Sequence, residues 1–158
     1  MKNEITNILN VDNLKLHYSS AKGFFSKKDM VKAVDGISFN LLEGETLGIV
    51  GESGSGKSSI CRLILNLISK SSGKVTWFDK DFDTFNKKQM KDFRKKVQII
   101  FQDPYGSLDP RMTIGNIIKE PLDIFNKEFL KKEKEKIITE IMNDVGLSNE
   151  LFNRYPHE

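Results

Sequence analysis

The feature that most constrains this chain is a glycine-rich segment, residues 51–58, which separates two apolar runs of different period. Ahead of it, residues 47–50 are apolar on both faces, which predicts a short strand buried inside a parallel sheet. After it, apolar residues recur with the spacing of an amphipathic helix, which we expect to end at residues 71–73. A strand, a glycine turn and a helix in this order indicate an α/β fold. The apolar residues of the helix are Ile60, Leu63, Ile64, Leu67 and Ile68.

The glycine-rich segment matches the phosphate-loop pattern GxxxxGK(S/T) between a strand and a helix. Glycines let the backbone adopt positive φ and turn its N–H groups toward phosphate oxygens, and the helix that follows begins with unpaired N–H groups. Lys57 can reach the β and γ phosphates, and the Ser58 hydroxyl can ligate Mg²⁺. A phosphate loop alone does not distinguish kinases, GTPases, motor ATPases and transporter ATPases. The predicted phosphate contacts are Gly51, Glu52, Ser53, Gly54, Ser55, Gly56, Lys57 and Ser58, with Ser59 as an additional donor.

The rest of the sequence predicts strands and helices in alternation around this motif. A period of two predicts a strand over residues 8–18, and a second alternation covers residues 37–41 before a turn at residues 43–45. Residues 19–32 have no sustained period and predict a loop, and a long loop is expected from Asp103 onward. Further strands are expected at residues 75–78 and 97–101, and helices at residues 87–96 and 129–145, the last capped by Gly146.

The charge balance does not favour a nucleic-acid partner. Lys and Arg total 25 and Asp and Glu total 22, giving a net charge of +3, which is small for a dedicated nucleic-acid protein. Two lysine-rich stretches, residues 87–96 and 131–136, keep that rival interpretation open. The second is interleaved with Glu133 and Glu135, a pattern typical of a solvated helix face.

The cysteine and histidine content and the hydropathy pattern argue against disulfide-stabilised, zinc-binding and membrane-spanning proteins. The single cysteine, Cys61, cannot form an internal disulfide and is expected to pack as a small apolar residue. With only His17 and His157, the sequence contains no zinc-ligand spacing. No apolar run approaches the roughly 18 residues of a spanning helix, and no signal-peptide core opens the chain, so a cytosolic protein is expected.

Residues beyond the phosphate loop carry a resemblance to a known family. Gln102 ends the apolar run at residues 97–101 and is followed by Asp103 and Pro104, which resembles the Q-loop of ATP-binding-cassette (ABC) ATPases. The finer similarity is to the ATP-binding subunits of bacterial oligopeptide and dipeptide importers, and it extends over essentially the whole chain. It rests on residues 31–39, the Gly-Glu-Ser-Gly of the loop, residues 101–112 and residues 154–158.

The resemblance implies a fold and a set of site residues. It implies a phosphate-loop core of the α/β class within a single incomplete ABC ATPase domain. Residues 1–45 would form an antiparallel β part, residues 46–104 the core up to the Q-loop, and residues 105–158 the start of a helical subdomain. Lys57 and Gln102 would be catalytic, Ser58 and Gln102 would contact Mg²⁺, and Tyr18 would stack on the adenine of ATP. Phe24 and Phe25 are rival aromatic residues for that stacking.

The resemblance also implies partners and a location. An importer ATPase couples ATP hydrolysis to oligopeptide or dipeptide uptake at the cytoplasmic face of the cell membrane, as a peripheral subunit. The segment from Tyr105 to Leu122 would contact the membrane permease subunits. A second ABC ATPase subunit would close around the nucleotides, and an extracellular peptide-binding protein would act indirectly.

The sequence departs from the family pattern at its end. The pattern continues with the LSGGQ signature, a Walker B strand with its Asp and catalytic Glu, and a switch histidine, none of which these 158 residues contain. His157 precedes the signature position and is not the switch. We therefore interpret the chain as the N-terminal, truncated portion of an importer ATPase that carries the ATP-binding half. The alternative is a non-catalytic nucleotide-binding remnant of a truncated gene.

We expect the 158-residue chain by itself to hydrolyse ATP at a negligible rate, because a positioned general base typically contributes about 10²- to 10⁴-fold to the rate and these residues supply none. A phosphate-release assay on the purified chain measures this. Turnover at the rate of an intact subunit, abolished by Lys57→Ala, would contradict the expectation.

Overall fold

In the computed structural model, the described residues are 6–20 and 29–158, so Phe24 and Phe25 lie outside them. The chain divides into two compact units, residues 1–93 and residues 94–158, and each is considered by itself. Among the described residues, none of the helices has the length and apolar character needed to cross a membrane.

The first unit contains a four-stranded antiparallel sheet in the order β2-β1-β3-β4. The predicted strands at residues 8–18, 37–41 and 75–78 are confirmed. The loop predicted at residues 19–32 is wrong at both ends, because the two long strands stay paired as far as Ser20 and Asp29. The strands are β1 (Asn7–Ser20), β2 (Asp29–Leu42), β3 (Ser72–Trp77) and β4 (Lys80–Asp81).

A β-bulge in β1 reconciles its apolar pattern with one buried face. Leu9 and Val11 are buried, and so are Leu14 and Leu16. In a regular strand the two pairs would lie on opposite faces, because one pair has odd and the other even residue numbers. The register shifts between Val11 and Leu14, and Asn13 in this interval has a φ of 45°. The extra residue returns the strand to the same face, so all four side chains enter one core.

The helix after the glycine-rich segment, α1 (Lys57–Ile64), is shorter than predicted. It ends in a Schellman motif in which Asn66, at a φ of 53°, donates to the Leu63 carbonyl and Leu67 donates to the Arg62 carbonyl. The expected end at residues 71–73 is therefore wrong, because a left-handed Asn stops the helix earlier. Cys61 is exposed rather than packed, since the buried side of α1 consists of Ile60 and Leu63.

The helix predicted at residues 87–96 is confirmed as α2 (Lys87–Lys96). It is held by Phe93, which is buried among aromatic rings. The ring centre of Phe93 lies 5.2 Å from that of Trp77, 4.7 Å from Phe82 and 6.0 Å from Phe85. Edge-to-face packing of this kind fixes the rotation of the helix about its axis.

The strands predicted at residues 47–50 and 97–101 are wrong for this structure. Neither segment belongs to a strand, and the side chains of Val50 and Ile100 are 95% and 94% exposed. A strand is maintained by hydrogen bonds to a neighbouring strand, and within the described residues neither segment is paired in a sheet. An apolar run without a pairing partner stays irregular.

The second unit is helical. The helix α3 (Ile114–Phe125) was not predicted, although Thr113 marks its start by accepting from the Asn116 N–H at 3.4 Å. The predicted helix at residues 129–145 is confirmed with narrower bounds as α4 (Lys131–Asp144). Its predicted C-cap is also confirmed, because Gly146 has a φ of 74° and donates to the Asn143 carbonyl at 3.0 Å.

A buried charge joins α3 and α4. The Lys134 side chain is buried, and its Nζ donates to Asp123 Oδ1 at 2.8 Å. Lys134 first, and Lys119 second, lower the pKa of Asp123 by hydrogen bonding to its carboxylate. Because a buried ammonium group is stable only when it is paired, this contact specifies how the two helices meet.

Substitutions in the 158-residue chain should distinguish the irregular apolar segments from the buried core by their effect on the free energy of unfolding. Leu14→Ala should cost about 2–5 kcal/mol of unfolding free energy, because Leu14 is fully buried. Val50→Ala and Ile100→Ala should each change it by less than about 0.5 kcal/mol, because both side chains are exposed. Urea denaturation midpoints measure all three. A loss for Val50→Ala comparable with that of Leu14→Ala would show that residues 47–50 are buried.

Candidate functional site

The glycine-rich segment is anchored to β2 at Gly56. This residue precedes α1 with a φ of +95°, a conformation that L side chains rarely adopt. A Cβ on Gly56 would lie 2.3 Å from the carbonyl oxygen of Ala33. The first turn of α1 can therefore approach the strand only with glycine at this position. The phosphate-loop pattern identifies Gly56 in the sequence, but no sequence pattern predicts its contact with Ala33.

The N-terminus of α1 has no side-chain cap and no acidic residue in its first turn. The first helical hydrogen bond is donated by Ile60 to the Gly56 carbonyl at 2.9 Å. The backbone N–H groups of Lys57, Ser58 and Ser59 therefore precede the first helical acceptor. Together with the helix dipole, these groups make the start of α1 favourable for an anion.

The Lys57 side chain folds back over the loop. Its Nζ donates to the carbonyl oxygens of Gly51 at 2.7 Å and Glu52 at 2.6 Å, and it lies 3.5 Å from Ser55 Oγ. The ammonium group is thus held at the loop instead of extending into solvent. Its positive charge adds to the positive end of the helix.

The rest of the loop is open to solvent. Residues 51–55 and Ser58 are exposed, whereas Gly56, Lys57 and Ser59 are partly covered. A Cβ on Gly54, which has a φ of +81°, would meet no atom within 4 Å. The loop therefore offers an accessible backbone segment that ends in the hydroxyl groups of Ser58 and Ser59.

Tyr18 belongs to the same hairpin that supports the loop. It is 51% exposed and pairs across the sheet with Val31, two residues before Ala33 on β2. The register places Tyr18 at the end of the hairpin that α1 approaches.

A charge cluster lies beside Tyr18. Asp35 accepts from Lys32 Nζ at 3.0 Å, and its other carboxylate oxygen lies 2.9 Å from His17 Nε2. Hydrogen bonding by Lys32, and then by His17, lowers the pKa of Asp35. The His17–Asp35 contact joins β1 to β2 at the position next to Tyr18, whereas Lys32 and Asp35 both lie on β2.

Gln102 belongs to the second unit, and the phosphate-loop residues belong to the first. It is exposed and follows the irregular segment at residues 97–101. The turn after it is fixed by Asp103, whose Oδ1 accepts from the Gly106 N–H at 3.0 Å and whose carbonyl accepts from Ser107 Oγ at 2.6 Å. The structure thus brings together Gly51–Ser59 and Tyr18 within one unit and places Gln102 in the other.

The described residues contain no group of three or more His, Cys, Asp or Glu side chains suited to hold a metal ion. Of the residues predicted to contact Mg²⁺, Ser58 offers an exposed hydroxyl in the first turn of α1, beside Lys57. A single hydroxyl is a weak ligand by itself.

A family model described as ABC transporter matches residues 34–157. An oligopeptide transport ATP-binding protein, OppF of Salmonella typhimurium, is 43% identical over 96% of this chain and 46% of its own length. A dipeptide transport ATP-binding protein, DppF of Haemophilus influenzae, is 43% identical over 99% of this chain and 49% of its own length. The chain therefore spans about half the length of the curated relatives it matches.

Solved structures share the fold of this chain. The ATP-binding cassette MJ0796, in a dimeric post-hydrolysis state bound to ADP and Pi, superposes with a TM-score of 0.78 at 22% identity. The superposition covers 95% of this chain and 62% of that cassette. CbiO1 from Clostridium perfringens, part of the ABC transporter complex cbiONQ, superposes with a TM-score of 0.70 at 25% identity. The predicted α/β fold of the ABC ATPase type is confirmed, and this chain belongs to the ABC transporter family.

Proposed function

We propose that this chain carries the ATP-binding portion of a peptide-importer ATPase. The observation that carries the proposal is the start of α1, which has neither a side-chain cap nor an acidic residue, together with the Lys57 ammonium group held over the loop before it. A helix start left uncapped beside a fixed cation favours an anionic ligand. The triphosphate of ATP is the ligand that the family membership makes most consistent with this geometry.

The phosphate groups are held by the backbone of Gly51, Glu52, Ser53, Gly54, Ser55 and Gly56, by Lys57, and by the start of α1 at Ser58 and Ser59. Lys57 exchanges its hydrogen bonds to loop carbonyls for phosphate oxygens, which form stronger charge-assisted bonds. When bound, Mg²⁺ neutralises charge on the β and γ phosphates. Ser58 would hold that ion through its hydroxyl. The proposal that Gln102 is a further ligand rests on the chemistry of its amide oxygen, which suits a hard cation.

Tyr18 binds the adenine ring by stacking. Its ring is half-exposed at the end of the hairpin that supports the loop, so that a base can lie against it while the phosphates occupy the loop. Stacking is sequence-tolerant and depends mainly on an accessible aromatic face. The contact between His17 and Asp35 links the two strands that hold this ring.

The relatives, named as oligopeptide and dipeptide transport ATP-binding proteins, support peptide uptake as the process that the nucleotide drives. The permease contacts the segment from Tyr105 to Leu122. In the second unit this segment presents exposed apolar side chains, with Tyr105 76% and Leu108 37% exposed, directly after the half-exposed Phe101. Apolar groups gathered on a surface are typical of a protein interface.

The remaining assignments follow the same family pattern. The chain acts at the cytoplasmic face of the membrane as a peripheral subunit, together with a second ABC ATPase subunit, and an extracellular peptide-binding protein delivers the cargo. Residues 1–45, 46–104 and 105–158 are the β part, the core up to the Q-loop and the start of the helical subdomain.

Lys57→Ala should weaken Mg-ATP binding by roughly tenfold to a hundredfold, because hydrogen bonds to a charged partner contribute about 1.5–3 kcal/mol each. Titration calorimetry on the folded chain measures the affinity. Lys80→Ala serves as the control, since Lys80 is an exposed lysine on β4, outside the loop. Equal affinities for the two variants would refute the phosphate-loop assignment.

Tyr18→Ala should weaken ATP binding by about 1–3 kcal/mol, the usual contribution of one base stacked on an aromatic ring. Tyr18→Phe should retain the affinity, because the stacking face is kept. Inorganic tripolyphosphate, which has no base, should bind the wild type and Tyr18→Ala equally. Tyr18→Ala could leave the affinities for both ATP and tripolyphosphate unchanged, while a Phe24→Ala/Phe25→Ala variant loses binding of ATP but not of tripolyphosphate. That result would show that the adenine contact lies outside β1.

A further inference from the structure

A polar cavity lies against the antiparallel sheet of the first unit, and no residue of the proposed nucleotide site lines it. Its volume is about 600 Å³, which is within the range of small-molecule binding sites. Val11 and Phe39 supply its apolar lining. The polar side chains that line it are those of Asn7, Asn10, Asp12, Ser38, Asn40, Lys74 and Thr76.

One row of these polar side chains crosses three strands. Asn10 on β1 is paired with Asn40 on β2 and with Thr76 on β3. Along β1, Asn10 alternates with the buried Leu9 and Val11, so its side chain points away from the core. Side chains of paired residues lie about 5 Å apart on one face of a sheet. One small molecule can therefore contact all three members of the row.

A second group of lining residues supplies one charge of each sign and a hydroxyl. Asp12 on β1 is paired in register with Lys74 on β3, but the Lys74 ammonium group lies 3.3 Å from Asp81 Oδ2 instead. Within residues 6–20 and 29–158, Asp12 forms no ion pair. Ser38 Oγ accepts from the Asn13 N–H at 2.8 Å, which leaves the Ser38 O–H as a donor.

The uncharged side chains of the cavity lack hydrogen-bond partners. Asn7 Oδ1 is buried and has no partner among the described residues. In the same part of the chain, the side chains of Asn10, Asn40 and Thr76 form no hydrogen bond either. A buried acceptor without a partner costs free energy, and native proteins contain few of them. The cavity therefore favours a ligand that can donate and accept several hydrogen bonds.

We propose that this cavity binds a small uncharged molecule that carries several hydroxyl groups, that is, a sugar or a polyol. Carboxamide and hydroxyl side chains both donate and accept, which is the pattern that ligand hydroxyl groups complement. The Asp12 carboxylate accepts from one ligand hydroxyl in a charge-assisted hydrogen bond. The inference does not depend on the proposed nucleotide binding, because the two sites share no residue.

Ions fit this cavity less well than a neutral ligand does. The Lys74 ammonium group repels a metal cation, and the Asp12 carboxylate repels an anion. A zwitterion such as a free amino acid would need both charges, but Lys74 is already paired with Asp81. A neutral ligand uses the amide and hydroxyl groups and leaves this ion pair in place.

The test is titration of the ¹⁵N-labelled chain with glucose, maltose and myo-inositol, followed by NMR of the asparagine side-chain amides. We expect at least one of the three to shift the signals of Asn7, Asn10 and Asn40 saturably, with a Kd on the order of 1 mM that does not depend on salt. Asn10→Ala/Asn40→Ala should weaken binding on the order of tenfold, because two neutral hydrogen bonds are lost. The control variant Asn116→Ala/Asn143→Ala removes two exposed amides from the second unit and should bind like the wild type.

Thermal unfolding separates binding from the general stabilisation that sugars produce because they are excluded from protein surfaces. With the sugar at about a hundred times its Kd, the melting temperature of the wild type should rise more than that of Asn10→Ala/Asn40→Ala. Equal rises, or no saturable shift with any of the three ligands, would overturn the proposal. Saturable shifts produced instead by calcium chloride, inorganic phosphate or alanylalanine would assign the cavity to an ionic ligand and overturn it too. The cavity variant should keep its Mg-ATP affinity, so failure here leaves the nucleotide proposal standing.

Discussion

The candidate nucleotide site depends on the close approach of Gly56 to the carbonyl oxygen of Ala33. A Cβ at Gly56 would lie 2.3 Å from that oxygen, so the start of α1 reaches the hairpin only because this residue has no side chain. The approach brings the uncapped N-terminus of α1, the Lys57 ammonium group and the strand pair that carries Tyr18 into one unit. Any larger residue at position 56 would separate the anion-binding loop from its support.

Backbone pairing, more than hydrophobicity, determines which apolar runs of this chain form strands. β1 and β2 pair with each other along most of their lengths, and β1 tolerates a bulge at Asn13 without losing its buried face. Residues 47–50 and 97–101 are at least as apolar, yet they are irregular within the part of the chain that the structure describes. Apolar side chains favour burial, but a strand exists only where its N–H and C=O groups find a neighbour.

Charge has two roles in the helices of the second unit. In the second unit, the buried Lys134 is paired with Asp123 and joins α3 to α4, and the exposed lysines of α4 pair with glutamates one turn away. The sequence analysis interpreted the lysine-rich stretches as solvated surface, which describes α4 well.

Features that depend on short-range chemistry were predictable from the amino-acid sequence alone. The phosphate-loop pattern, the ends of α2 and the Gly146 cap could be predicted because each depends on residues a few positions apart. Tertiary structure decided the rest. The missed α3, the early end of α1 and the exposure of Cys61 depend on local competition and packing that periodicity does not resolve. The contact of Gly56 with Ala33 depends on a partner distant in sequence, and so does the question of which apolar runs form strands. A pattern within a short window of residues does not contain such partners.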